Sequence, residues 1–424
     1  AGVPWLGMTI AEAAALDRVL VVGSFLRKDH PLLASRFRLA GKRAQQLNII
    51  HSADDELLLA VANKAIVPPS ELSGALGQVV KAVAEKKGLA VPAAVAAFDI
   101  RDDARRIAAS LCSGKSAGIF LGNFAEQHPR AADLQAAAQL LAELLGARFG
   151  FLGQAANSVG GYLANCLPGA GGLNAAAMLE SPRKAYLLLG LEPELDCADP
   201  VLAAKALAAA EFVVSLSMYR GGAGADADVL LPLAPFSETA GTFVNCEGRA
   251  QGFNPVVKAL GEARPGWKIL RVLGNLLGLD GFGQDSSEAV RDEVGAPAQI
   301  AARLDNRLSN ASLSLQAAPA AGLQAGLQRV ADVPIYFADP IVRRAESLQQ
   351  TRDARAPRAG LRSALAARLG IAAGERVKLT QAGEALLEAA IDDRLPDGVV
   401  RVAAAHPDTA GLGAMFGDIV LERA

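Results

Sequence analysis

Cysteine is scarce in this 424-residue chain, and its four copies, Cys112, Cys166, Cys197 and Cys246, lie far apart. A zinc or iron–sulfur site draws two or more thiolates from one tight loop. The scatter therefore points to free thiols in a reducing compartment, and no metal site is expected. Histidine is equally thin: His30, His51, His128 and His406 stand alone and read as surface or capping residues rather than ligands. Charge of one sign is lacking too, with 42 basic against 44 acidic residues and a net charge of -2. That balance gives no electrostatic footprint for nucleic acid. Long apolar runs are absent: none approaches the roughly 20 residues that cross a bilayer. The alanine-rich stretch 90–98 is too short and is interrupted by Pro92. No direct membrane insertion and no signal peptide are expected. The chain opens on Ala1 rather than Met, as expected of a fragment or processed form.

What the chain has is apolar bulk, 51% of residues with few aromatics, enough to fill two or three domain cores. Residues 18–24 read RVLVVGS, a short apolar run that suits a strand buried on both faces. Pro31 then suits the first turn of a helix to about residue 44, and a second apolar run follows at 47–51. This order is a βαβ unit. Helices are predicted at 69–87, stopped by Gly88, and at 99–111. A second α/β series is expected to start at the strand 117–121. It continues through a helix at 131–145, strands at 186–189, 212–217 and 229–233, and helices at 201–210 and 267–279. Such alternation specifies an α/β fold with mostly parallel sheets, whose ligands sit beyond the carboxyl ends of the strands. Residues 309–326, mostly Ser, Ala, Gln and Gly, read as a linker. Beyond residue 336 the class changes. A short helix at 361–369 precedes strands at 376–380, 385–391, 398–404 and 418–422, which predict a compact β-barrel. The expected division is two α/β subdomains at 1–98 and 99–280, a linker with helices at 281–335, and the barrel at 336–424.

Three segments imitate functional motifs. Gly114-Lys115-Ser116-Ala117-Gly118 matches the G-x-S-x-G elbow, but the elbow needs a strand before the serine and a helix after it. The predicted order is the reverse. As the end of a P-loop the same segment would need glycine at 109, which is Ala109. Gly221-Gly222-Ala223-Gly224 could offer backbone N–H groups to a phosphate, or be a turn. The arginines Arg343, Arg344, Arg352, Arg355, Arg358, Arg362 and Arg368 read as a solvated connection, with docking to an acidic neighbour as the sharper alternative.

Residues 226–251 read DADVLLPLAPFSETAGTFVNCEGRAQ. This closely resembles molybdopterin-guanine-dinucleotide oxidoreductases, in which an ADVVLP stretch precedes an acid, GT, an Asn and an Arg. The matching positions are Asp226 to Pro232, Glu238, Gly241-Thr242, Asn245 and Arg249. The GSFLRKDHP turn at 23–31, NSVGGYLANCLPG at 157–169 and LLGLEP at 188–193 fit the same family in order. So do YFADPIVRRAESLQQT at 336–351 and GIAAGERVKLT at 370–380, the latter like the entry to the family's double-psi barrel. The SETAGTFVNCEGRAQ form is especially like the large iron–sulfur subunit of respiratory NADH:quinone oxidoreductase, complex I.

The resemblance implies two α/β subdomains across a cleft, closed by the barrel. In molybdenum enzymes of the family that cleft holds the pterin dinucleotides. The respiratory subunit is similar in fold and is regarded as having lost them. Gly190, Glu192, Gly221, Gly222 and Asn245 are the implied positions of a vestigial cleft, and Glu192 stands where the usual turn carries Asn. Glu238, Asn245 and Arg249 are expected to brace a loop by hydrogen bonds and a charge pair; no catalytic residue and no molybdopterin are expected. Iron–sulfur clusters would belong to an amino-terminal region before Ala1. The implied partners are the flavin subunit and the cluster-bearing subunits of the complex's peripheral arm. The implied location is the cytoplasmic face of the inner membrane. The rival implication is a working dinucleotide-dependent oxidoreductase of the formate dehydrogenase and nitrate reductase class.

Overall fold

A computed structural model describes residues 2–221, 226–295, 297–307 and 326–424. The apolar run near the amino terminus forms β1 (Arg18–Val22), flanked by β2 (Gln46–His51), β3 (Asn63–Ile66), β4 (Ala117–Leu121) and β5 (Arg148–Phe151). All pair in parallel, in the order β3-β2-β1-β4-β5. Alternate β1 residues feed opposite layers, as strand geometry requires. Val19 and Val21 pack with Leu33 and Phe37 of α1 (Pro31–Gly41). Leu20 and Val22 pack with α2 (Leu72–Lys86), α3 (Asp102–Cys112) and α4 (Ala131–Leu145) through Leu76, Val80, Ile107 and Leu141.

The strand at 117–121 does not open a second sheet. It pairs with β1 along its whole length, so the division expected at residue 98 cuts through one sheet and one core. Hydrophobic periodicity gives a strand its length and faces but not its neighbour. Here α2 and α3 carry the chain back to the middle of the sheet rather than onward. The reversal of strand order between β1 and β4 is the kind of crevice in which open α/β sheets hold ligands.

The second unit is a smaller parallel sheet, β6 (Ala185–Leu189), β7 (Phe212–Ser217) and β8 (Val229–Pro232); α5 (Pro200–Ala208) connects β6 to β7, and α6 (Gly266–Leu276) follows β8 in the chain, its Gly266 close to Leu189 and Leu233. An antiparallel hairpin, β9 (Gly241–Val244) and β10 (Ala250–Phe253), follows β8. The last unit is a closed six-stranded barrel of β11 (Leu327–Val330), β12 (Arg358–Leu361), β13 (Arg376–Thr380), β14 (Glu384–Ile391), β15 (Val399–Arg401) and β16 (Asp418–Arg423). Its interior is filled by Leu361, Val377, Leu379, Leu387, Val400 and Leu421.

The barrel takes its first strand from residues 327–330, ahead of the expected start at 336. The reading of 309–326 as a linker falls, save Gly326, outside the described residues. The barrel is not free of the first unit. Val330, Leu395 and Val399 join the core above α2, and the Phe416 ring meets those of Phe124 and His128 at 4.9 and 5.2 Å. Among the described residues no helix is long and apolar enough to cross a membrane.

A charged cleft at the carboxyl ends of the strands

The loop leaving β1 turns at Gly23, with φ +64°, and a Cβ there would lie 2.5 Å from the Ala125 nitrogen. Only glycine allows the loops after β1 and β4 to pass this closely. The turn presents Phe25, Arg27 and Lys28 to a cleft of about 620 Å³. Asp55 and Glu56, beyond β2, form a second wall, and Asp332, Arg394 and Arg401 of the barrel a third. Ile335, Arg352 and Asp353, on the strap between β11 and β12, close the rest.

The charges in this cleft are largely matched within the chain. Arg401 donates to Asp55 at 2.7 and 3.4 Å and to Asp332 at 3.2 and 3.3 Å. Arg394 donates to Asp392 at 2.6 and 2.8 Å and lies 3.7 Å from Asp55. Lys28 bonds Asp353, and Arg27 lies 4.0 Å from Glu56. Burial opposes the charge on Arg401, but Asp332 and Asp55 outweigh it and hold the guanidinium charged more firmly than usual. The His51 ring, edge-on to Phe124 at 5.1 Å, is pushed down to about 4 by burial, against the pull of Asp55, and is neutral at physiological pH. Burial also pushes Asp29 up to about 6, although Phe25 N–H and Ser24 bond its carboxylate. Along the same edge of the sheet, His30 is pushed down to about 4 and Glu126 up to about 8, both chiefly by burial.

Of the positions singled out in the sequence, Glu192 is the most informative. It follows Gly190, which takes φ +62° just past β6, and it is buried. Its carboxylate accepts from Arg343 at 2.8 Å and from Arg344 at 2.6 Å, and Arg343 also bonds Asp196. Burial alone would raise the Glu192 pKa; the two arginines more than offset it and hold the carboxyl below its usual range. Arg344 also lies over the Tyr219 ring, 4.2 Å from its centroid. Two residues of the arginine-rich stretch are thus internal clamps rather than a solvated connection, and the acid they meet belongs to the chain itself. Arg358 and Arg362 pair with Glu388 and Asp397 near the surface.

Asn245 closes the β9–β10 turn: its side-chain oxygen accepts from the backbone N–H groups of Glu247 and Arg249, both at 3.0 Å. Glu238 accepts from Leu260 N–H at 3.0 Å. The Asn245 bonds lie within the hairpin turn rather than in the loop after β8, and the expected charge pair is not formed: among the described residues no ion pair joins Glu238 to Arg249, whose contribution is its backbone N–H. Gly221 has φ +137°, and Gly222 lies outside the described residues. The segment 114–118 has a helix before it and a strand after it, so it is not a nucleophile elbow. All four cysteines are free, and among the described residues no group of His, Cys, Asp or Glu is placed to hold a metal ion.

The profile of the molybdopterin oxidoreductase family matches residues 2–276. The chain belongs to the molybdopterin oxidoreductase family. Over 136 residues it is 37% identical to an NADH-quinone oxidoreductase subunit of Mycobacterium tuberculosis, a stretch covering 31% of this chain and 17% of that protein. Over 155 residues it is 32% identical to the mitochondrial NADH dehydrogenase iron–sulfur protein 1 of Solanum tuberosum, covering 32% of this chain and 20% of the relative. A Staphylococcus aureus protein bearing a formate dehydrogenase name is 44% identical over 68 residues, 16% of this chain and 7% of that protein. The matches thus span a fifth or less of each relative's length. Acetylene hydratase from Pelobacter acetylenicus superposes with a TM-score of 0.69 over 96% of this chain and 78% of the hydratase, at 15% identity. At that identity the likeness establishes the fold alone, which is that of the family with its closing barrel.

The cleft-lining residues Asp55, Asp332, Arg394 and Arg401 carried no signal of function in the sequence. Phe25, Arg27 and Lys28 sit in the turn after a buried strand, where one was available. Nothing local marks a barrel arginine as the partner of an aspartate about 350 positions earlier.

Proposed function

We propose that this chain is a scaffold region of the large iron–sulfur subunit of an NADH:quinone oxidoreductase. In this reading it supports electron transfer between neighbouring subunits, and its pterin cleft is vestigial. The observation that carries the reading is the closure of Glu192 by Arg343 and Arg344. A dinucleotide's pyrophosphate placed at that turn would meet a buried carboxylate, and like charges at close range repel. The cations that could offset this are committed to the chain's own acids. The charged cleft at the first turn has the same character: among the described residues, four of its five lining cations have a carboxylate within 4 Å, leaving Arg352. These residues fit a pyrophosphate-bearing cofactor poorly, and we assign no reaction step to one. The identities with the mycobacterial NADH-quinone oxidoreductase protein and the mitochondrial iron–sulfur protein support the respiratory assignment. The flavin subunit and the cluster-bearing subunits of the peripheral arm would then be its neighbours, on the cytoplasmic face of the inner membrane. Iron–sulfur clusters would lie in other parts of the protein.

The match to a protein with a formate dehydrogenase name favours a second reading, a dinucleotide-dependent oxidoreductase. Purification from native membranes separates the two. The scaffold reading expects co-purified peripheral-arm subunits and molybdenum and pterin far below one per chain. Stoichiometric molybdenum and pterin without those subunits would overturn it.

A further inference from the structure

Among the described residues the outer face of α1 has no partner. Its inner face, Leu33, Ala34, Phe37 and Ala40, is buried against the first sheet. Leu32 and Leu39 point the other way and are 80% and 51% exposed. With Arg36 between them they form a stripe at the i, i+4, i+7 spacing of one helix face. Arg43 continues this stripe past the helix end, and Arg38 and Lys42 flank it. All four cations are exposed, and none has a carboxylate within 4 Å in the described residues. No acid occurs from Pro31 to Gln45. Acids on adjoining segments are engaged elsewhere: Glu12 with Thr9, Asp17 with the 115 and 116 N–H groups, and Asp29 with Phe25 N–H.

Cations at the carboxyl end of a helix are favoured by its dipole. That accounts for the sign of Lys42 and Arg43. It does not account for two exposed leucines on the same stripe, nor for Arg36 in mid-helix without an acid in reach among the described residues. Exposed leucine beside unpaired arginine is the composition of a protein interface, where arginine is enriched and apolar anchors are rimmed by charge.

We propose that this face of α1 docks an acidic amphipathic helix of another protein, with its apolar residues against Leu32 and Leu39 and its carboxylates on Arg36, Arg38, Lys42 and Arg43. A bilayer is the weaker fit. An interfacial helix must offer a broad apolar face to lipid, and that of α1 is already buried in the sheet. Nucleic acid would leave the leucines unused and would meet a chain of net charge -2.

The test is a photo-cross-linking residue at Leu39 in the full-length protein, expressed in its own cells, with adducts mapped by mass spectrometry. The expected result is one protein, joined at a helix with excess Asp and Glu. Adduct yield should fall about tenfold when Arg36, Arg38 and Arg43 become Glu, and recover when the partner's facing acids become Lys. If the Glu variant does not fold, judged by circular dichroism, the same arginines changed to Gln carry the test. Their adduct should be weaker than wild type and more readily lost in salt. Scattered adducts, lipid or nucleic-acid adducts, no adduct, or a yield indifferent to the substitutions would each overturn the proposal. The readout is confined to α1. Subunits of a respiratory complex that co-purify through another face would leave the scaffold reading standing while this one falls.

Discussion

Arg401 of β15 reaches across the boundary between barrel and sheet to Asp55, beyond β2, at 2.7 Å, and the Asp55 side chain is only 2% exposed. Removing one member of such a pair strands the other, which typically costs about 3 to 5 kcal/mol, whereas replacing both by apolar groups can be nearly neutral. Asp55→Ala and Arg401→Ala are each expected to lower the urea midpoint markedly. Asp55→Leu with Arg401→Met should recover most of the loss. A double variant no better than either single one would show that Asp332 and Arg394, rather than the pair itself, set the stability of this boundary.

The two arginines on Glu192 should not be equivalent. The Arg343 side chain is 5% exposed and bridges Glu192 and Asp196; that of Arg344 is 35% exposed and also rests on Tyr219. Arg343→Ala is expected to destabilise by about 3 kcal/mol, because it leaves a buried carboxylate with fewer donors. Arg344→Ala should cost about 1 kcal/mol, since solvent screens its charge. Equal losses in thermal unfolding would contradict the assignment of Arg343 as the principal clamp.

Much of the fold is legible in particular stretches. The strands at 117–121, 212–217 and 376–380 and the helix at 131–145 have the bounds their apolar patterns predict. Each is a buried run or periodic face stopped by Gly or a polar turn, so local chemistry settles it. β3, β5, β11 and β12 read NKAI, RFGF, LQRV and RAGL, with polar residues or glycine breaking any apolar run, and their place depends on strands far away in sequence. The same limit governs the site. Glu192 was visible as an acid out of place in a turn. Its neutralisation by Arg343 and Arg344 is a contact across about 150 residues that only the packed fold creates.

Asn157 ties the loop after β5 to the hairpin: its side-chain oxygen accepts from Val244 N–H at 2.8 Å. Val244 is buried, with Val159, Leu163 and Ile300 around it. Asn157→Ala leaves that donor without an acceptor and should cost about 1 to 3 kcal/mol. Asn157→Asp keeps an acceptor and should cost less. Hydrogen exchange at the Val244 amide would report the change directly, and unaltered protection in the Ala variant would show that the bond contributes nothing.

Glu126 sets a pH dependence whose sign follows from its environment. Burial raises its pKa from about 4.5 to about 8, so the folded chain retains a proton that the unfolded chain has released. Its contribution to stability is full below pH 4.5 and is lost as pH rises through about 8. His30 and His51 act in the opposite sense. Burial lowers both to about 4, so their contribution is present above 6.5 and is lost as pH falls toward 4. Asp29, raised to about 6, has released most of its proton in the folded state by pH 7. Between about pH 7 and about pH 9 the histidines are therefore neutral in both states, and Glu126 is left as the titrating buried group of this sheet edge. The melting temperature should fall across that interval in the wild type. Glu126→Gln, which mimics the neutral acid, should flatten the fall and be the more stable protein at the alkaline end. A wild-type melting temperature that is level from pH 7 to pH 9, or a Gln variant that declines in parallel with it, would mean that the carboxyl finds solvent or a cation when it ionises.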